Sequence, residues 1–209
     1  MREDQKKEGK QSFIADVRRE QIIEAAIKTL DEIGYVKASL AQIAKRAGIS
    51  TALISYHFAD KNDLMNHLLL NLLEGSTSYI LERVNQESTP HKKLNAFITA
   101  SLAYQDTHPA RNTALIEIIF NARTPDNIPY YKLNDDGDGD PITDELRSIL
   151  RNGQKNGDFG KFNVDVMTHV IQGAIGEYMF NTDITKKVDL ETYSRELVNI
   201  VNQALKTGE

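Results

Sequence analysis

The sequence predicts an all-α protein of about nine helices, on three observations. Apolar residues recur at three- and four-residue spacing along most of its 209 residues, no stretch convincingly reads as a strand, and the interruptions fall on residues that start and stop helices. Three short helices come first, in an N-terminal domain over 14–62, and about six longer ones follow in a second domain over 63–209. Residues 1–13 are polar and read as a flexible tail.

The first helix carries Ile22, Ile23, Ala26, Ile27, Leu30 and Ile33 on one stripe, and Gly34 is placed to close it. The second opens at Ser39, with Gln42 completing a capping box, and stops at Gly48. The third is short, from Ser50 to near His57. Asp60, with Asp63 behind it, opens a fourth through Leu64, Leu68 and Leu72 toward Val84, with Gly75 as a candidate bend. Leu94, Phe97, Ile98 and Leu102 share a face before "THP" ends their helix. The run "ALIEIIFNAR" (114–123) is apolar almost all round, which predicts a central helix. A loop over 125–141 follows, then a helix marked by Leu146, Ile149 and Leu150 that ends at "NGDFG". The last two helices span about 163–181 and 189–206, with Val166, Val170, Ala174 and Tyr178 on one stripe and Tyr193, Leu197, Val201 and Ala204 on the other.

Composition narrows the function. The absence of cysteine excludes disulfides, thiolate catalysis and Cys-ligated metal, and points to a reducing compartment. No apolar run approaches the ~20 residues of a membrane span, and the N-terminus has no signal-peptide core, so a cytoplasmic protein is expected. The net charge is −5, yet residues 37–61 carry Lys37, Lys45, Arg46 and Lys61 against Asp60 alone, a local +3. No cofactor is implied. Asn134, Asp136, Asp138, Gly139 and Glu145 come close to a calcium-loop pattern. Asn stands in place of the first Asp, and Pro141 takes an apolar position, so a solvated loop and no metal site are expected.

The stretch "AGISTALISYHF" (47–58) holds hydroxyls and an imidazole, but Ser55 and His57 are two apart on a helix and face about 200° away from each other. They cannot form a nucleophile–base pair, and the protein is not expected to be an enzyme. The spacing Ala44-x3-Gly48-x5-Ile54 is instead the skeleton of a helix-turn-helix. Ala44 permits a close helix crossing, Gly48 takes the positive φ of the turn, and Ile43, Ala47, Ile49 and Ile54 fill the wedge. That leaves Thr51, Ala52, Ser55 and Tyr56 facing outward toward a major groove. Ser39, Ser50 and Lys61 sit at helix starts, where backbone N–H groups and the dipole favour a phosphate; Lys45 and Arg46 add charge.

This stretch resembles the DNA-binding half of the tetracycline-repressor (TetR-type) regulators. The resemblance lies in Ser39, where that family usually has Thr, in "IAKRAGIS" (43–50), and in "YHFADKNDL" (56–64), and it covers about residues 17–65. The family often has Gly at position 52 and Tyr at 55; here Ala52 and Ser55 stand there, so no operator sequence carries over. The resemblance implies that Tyr56 and His57 contact phosphate, and that a small-molecule effector binds in the second domain. Tyr104, Glu117, Phe120, Arg123, Tyr178 and Phe180 are candidates for that cavity. Glu117 stands out as a carboxylate within an apolar helix, either facing a ligand, paired internally or exposed.

A helix-turn-helix monomer reads few base pairs, so a homodimer on palindromic double-stranded DNA is expected. Gly173, Ala174 and Gly176 would permit close approach, and with Leu197, Val201 and Leu205 they are the candidate interface, or else intramolecular core. The expected function is a one-component transcriptional repressor released by a small ligand. The alternatives are the same fold controlled by a protein partner and, distantly, a helical enzyme or metal-binding protein.

Overall fold

The computed structural model describes residues 2–132 and 140–206, with backbone alone for 2–14 and 182. The described residues form ten α-helices and one 3-10 turn, with no strand beyond an isolated bridge between Arg123 and Pro129. They divide into two compact units, Met1–Leu72 with Ala110–Leu133, and Leu73–Pro109 with Asn134–Glu209.

In the first unit, α1 (Arg2–Lys37) begins well before the expected start and takes in the stretch read as a tail. Gly34 interrupts it with φ 73° and ψ 167°, and one last turn closes where the Ala38 N–H donates to the Gly34 carbonyl at 3.1 Å. Helices α2 (Leu40–Ala47) and α3 (Thr51–His57) follow, then α4 (Lys61–Asn85). The core is built from Ile22, Ala26, Ile27 and Leu30 of α1, Ile43 and Ala44 of α2, Ile54 of α3, Phe58, and Leu64, Met65, Leu68 and Leu72 of α4. Ala114 and Ile118 of α6 (Pro109–Asn121) join them. The apolar run at 114–123 therefore packs here, but not as a central helix: α6 buries Asn112, Ala114 and Ile118, while Phe120 is 53% exposed. The expected boundary at 62/63 falls in the first turn of α4, and residues 110–133 cluster with the first unit.

The second unit holds α5 (Pro90–Thr107), α7 (Pro141–Asn156), α8 (Val164–Phe180), a short α9 (Thr182–Lys187) that the sequence reading did not contain, and α10 (Leu190–Ala204). Helix α5 packs on α7, α8 and α10 around Leu94, Phe97, Ile98, Leu146, Leu150, Ile171, Leu197 and Leu205. The "NGDFG" segment seats Phe159, 3% exposed, against Gly153, and the Gly160 N–H donates to the Leu205 carbonyl at 2.8 Å. Asp140 caps α7 through the Ile142 and Thr143 N–H groups, and Glu145 stands 3.9 Å from Lys93. Asn134, Asp136, Asp138 and Gly139 of the candidate calcium loop lie outside the described residues.

Candidate nucleic-acid interface

Local chemistry positions this corner. The Ser39 hydroxyl accepts the Gln42 N–H at 3.3 Å and donates to Gln42 Oε1 at 3.0 Å, which starts α2. Gly48, at φ 67°, ends it; no atom would crowd a Cβ there, so the positive φ alone is what asks for glycine. The Ile49 N–H then donates to the Ala44 carbonyl at 3.0 Å and turns the chain. Ser50 restarts the helix by accepting the Leu53 N–H at 3.2 Å. Ile43 and Ile54 are fully buried in the angle between the helices, with Ala47 and Ile49 packed beside them.

Burying Ile54 fixes the opposite face of α3. Thr51, Ala52 and Ser55 are exposed, and Tyr56 is 81% exposed, the highest value for an aromatic side chain among the described residues. His57 is half-buried, its ring edge-on to Tyr56 at 5.1 Å. Ser39, Ser50 and Lys45 are exposed as well.

The other two cations are engaged within the fold. The Arg46 Nε donates to the Thr29 hydroxyl at 3.2 Å, and its guanidinium pairs with Glu32, so part of the local positive charge is neutralised by α1. The Lys61 ammonium donates to the Tyr35 carbonyl at 2.6 Å and lies 4.2 Å above the Tyr35 ring. Burial lowers its pKa below the usual lysine value. Behind it, Asp60 accepts the Asp63 N–H and the Asp63 carboxylate accepts the Ala59 N–H, each at 2.9 Å, which fixes the start of α4. Sequence reasoning missed Val36, which is 81% exposed in the turn before Ser39 beside exposed Lys37. Its signal was an apolar residue outside the α1 stripe.

Comparisons with known proteins bear on this corner directly. Residues 22–68 match the model of the bacterial regulatory proteins of the tetR family; both bounding residues, Ile22 and Leu68, are fully buried in the first unit's core. The chain is 35% identical over 105 residues to the HTH-type transcriptional regulator BetI of Paraburkholderia phytofirmans, covering 48% of this chain and 52% of that protein. BetI of Pectobacterium carotovorum is 36% identical over 98 residues, covering 45% and 49%. The fold matches PfmR of Thermus thermophilus, a TetR family transcriptional regulator, with a TM-score of 0.69 over 91% of this chain and 97% of that one, at 21% identity. Residues 22–68 of this chain are therefore a tetR-family segment.

The alignments span about half the length of the curated relatives. A further solved structure of similar fold is the transcriptional regulator FadR of Bacillus subtilis in complex with stearoyl-CoA, with a TM-score of 0.73 over 89% of this chain and 98% of that one, at 21% identity.

Outside the helix-turn-helix, the six candidate ligand residues divide between the units. Glu117, Phe120 and Arg123 belong to the first, where the Glu117 carboxylate accepts the Tyr35 N–H at 2.7 Å and the Arg123 guanidinium donates to the Asn127 carbonyl at 3.2 Å. Tyr104, Tyr178 and Phe180 belong to the second. There Tyr104 is buried against Tyr79 and stacked on His108, Tyr178 meets Tyr193 at 4.7 Å, and Phe180 is 50% exposed. Among the candidate interface residues, Leu197, Val201 and Leu205 are buried in the chain's own core. Ala174 and Gly176 are half-buried, and Gly173 is exposed with open space beside it. The large apolar side chains that α8 and α10 leave exposed are Val166, Val170, Phe180 and Ile200. Among the described residues no helix is long and apolar enough to cross a membrane, and no three His, Asp or Glu side chains form a metal-holding group.

Proposed function

We propose that this protein is a TetR-family, cytoplasmic, DNA-binding transcriptional regulator that acts as a homodimer, a repressor released from a palindromic operator by a small molecule. The observation that carries DNA binding is the α3 surface. A seven-residue helix, capped at its start and anchored by one buried isoleucine, exposes Thr51, Ala52, Ser55 and Tyr56, which are groups able to meet base edges and phosphates. Ser39, Ser50 and Lys61 flank it at helix starts, where donors meet phosphate oxygens.

Dimerisation is supported by Val166, Val170 and Ile200, exposed on the last two long helices with Gly173 open beside them. An apolar surface of this kind is stabilised by a second copy. Effector binding is supported by a groove of about 680 Å³ between α5 and α10, floored by Leu102, Leu190 and Val198 with Asp106 and Arg195 at its walls. That volume lies within the range of small-molecule sites. The FadR of similar fold was solved with a ligand, stearoyl-CoA, which fits control by a small molecule.

The test is selection of bound duplexes from a random pool by the full chain. The expected outcome is an inverted repeat whose half-sites lie about 10 base pairs apart, centre to centre, or a multiple of that. Enrichment without symmetry, or none at all, refutes the reading.

A further inference from the structure

We propose that Glu117 is a positioning residue for DNA binding: from α6 it holds the kinked exit of α1 so that Lys61 is presented to a phosphate. The proposal rests on the DNA-binding reading above and deepens it. It starts from Gly34, whose positive φ breaks the regular run of α1 and leaves the Tyr35 peptide to be held from outside the helix. Both backbone groups of Tyr35 are engaged, and its hydroxyl reaches Asn62 Oδ1 at 3.5 Å. Its N–H donates to Glu117 Oε2 at 2.7 Å, and its carbonyl accepts the Lys61 ammonium at 2.6 Å. The Tyr35 ring supplies a third surface, 4.2 Å below the same ammonium. One residue thus joins a carboxylate on α6 to the lysine that opens α4.

The carboxylate is held in place. Asn121 Nδ2 donates to the Glu117 carbonyl at 2.9 Å and to Oε2 at 3.3 Å. Glu117 Oε2 also lies 3.2 Å from where a Cβ on Gly34 would be, so the carboxyl rests directly against the kink. Other ties of α6 to the first unit do not involve Glu117: Arg111 pairs with Glu24 at 2.7 Å and donates to Asn71, and Ala114 and Ile118 are in the core. Removing the carboxylate therefore frees the Tyr35 peptide without releasing the helix. Lys61 has three ammonium donors and spends one on Tyr35, so the contact aims the remaining two and does not consume the charge.

The experiment compares Glu117→Ala, Glu117→Gln, Lys61→Ala and the double variant Glu117→Ala/Lys61→Ala in the full chain, on a duplex recovered by selection and on a random duplex, at several salt concentrations. Glu117→Ala should weaken both duplexes by about tenfold and reduce the salt slope by about 1, as Lys61→Ala does. The double variant should bind like Lys61→Ala alone, because both changes remove the same contact. Glu117→Gln keeps an acceptor for the Tyr35 N–H and should bind like the wild type. In the free protein, the Tyr35 amide and Lys61 ammonium resonances should both move in Glu117→Ala. Additive losses in the double variant, an unchanged salt slope, or unmoved Tyr35 and Lys61 resonances would each overturn the proposal. Wild-type protein with no salt-dependent DNA binding would overturn the DNA-binding reading, and this proposal with it, even where the resonances shift as described.

Discussion

Replacing Gly153 with alanine should destabilise the second unit far more than its size suggests. A Cβ at this position would lie 2.0 Å from Phe159 Cδ2 and 2.2 Å from Cε2, well inside contact distance. Phe159 cannot yield freely. It is 3% exposed, its ring meets His91 edge-on at 4.7 Å, and the next residue donates to the Leu205 carbonyl at 2.8 Å. If α7 and the ring adjust together, the cost is that of overpacking, about 1–3 kcal/mol. If the ring is expelled, it approaches the loss of a buried Phe, about 3–5 kcal/mol. Alanine returns about 1 kcal/mol through its helix propensity. A net loss of about 2 kcal/mol follows, seen as a lower urea midpoint and a melting point reduced by roughly 4–8 °C. Adding Phe159→Ala separates the clash from a general effect: in that background the methyl group has room, and Gly153→Ala should cost nothing or stabilise slightly. A Gly153→Ala protein within about 0.5 kcal/mol of wild type, or an equal loss in the Phe159→Ala background, would refute the reasoning.

Thr51→Ala and Ser55→Ala should change which sequence is preferred and cost roughly 1–3 kcal/mol on the selected duplex but little on a random one; equal losses on both duplexes would mean that α3 docks differently. Burial lowers the pKa of Lys61, so its charge is lost at a lower pH than that of an exposed lysine. As the pH is raised into the alkaline range the salt slope should therefore fall by about 1 as Lys61 deprotonates, and Lys61→Arg, which stays charged, should suppress that fall. Val170→Glu places a charge on the exposed face of α8 and should give monomers in light scattering with helicity retained; a persistent dimer would move the interface elsewhere.

The helix-turn-helix was legible in the sequence because its parts are local. Ser39 and Gln42, Gly48, and Ser50 and Leu53 interact over three or four residues, so spacing and residue type suffice to place them. Ile43 and Ile54 were readable as core, and the outward face of α3 follows from that burial. The start of α4 at Asp60 and Asp63 was legible for the same reason. The limits of that logic show at Arg46 and Lys61. Both count as free positive charge in a composition tally, yet each is held by a residue 17 to 26 positions away, Thr29 and Tyr35 respectively.

What the sequence by itself determined is the all-α class, the capped helix-turn-helix and the stripes that bury, because helix periodicity and caps are properties of neighbours three and four apart. Only the tertiary structure decided which partners those stripes and charges meet. Glu117 reads equally well as facing a ligand, paired or exposed until the kink at Gly34 brings the Tyr35 N–H, 82 positions earlier in the chain, to its carboxylate. Leu197, Val201 and Leu205 read equally well as interface or core until α5 is seen packing over α10. The reason is common to both: an apolar stripe or a lone carboxylate records that it must be satisfied, while its partner is chosen by long-range packing that no local pattern encodes.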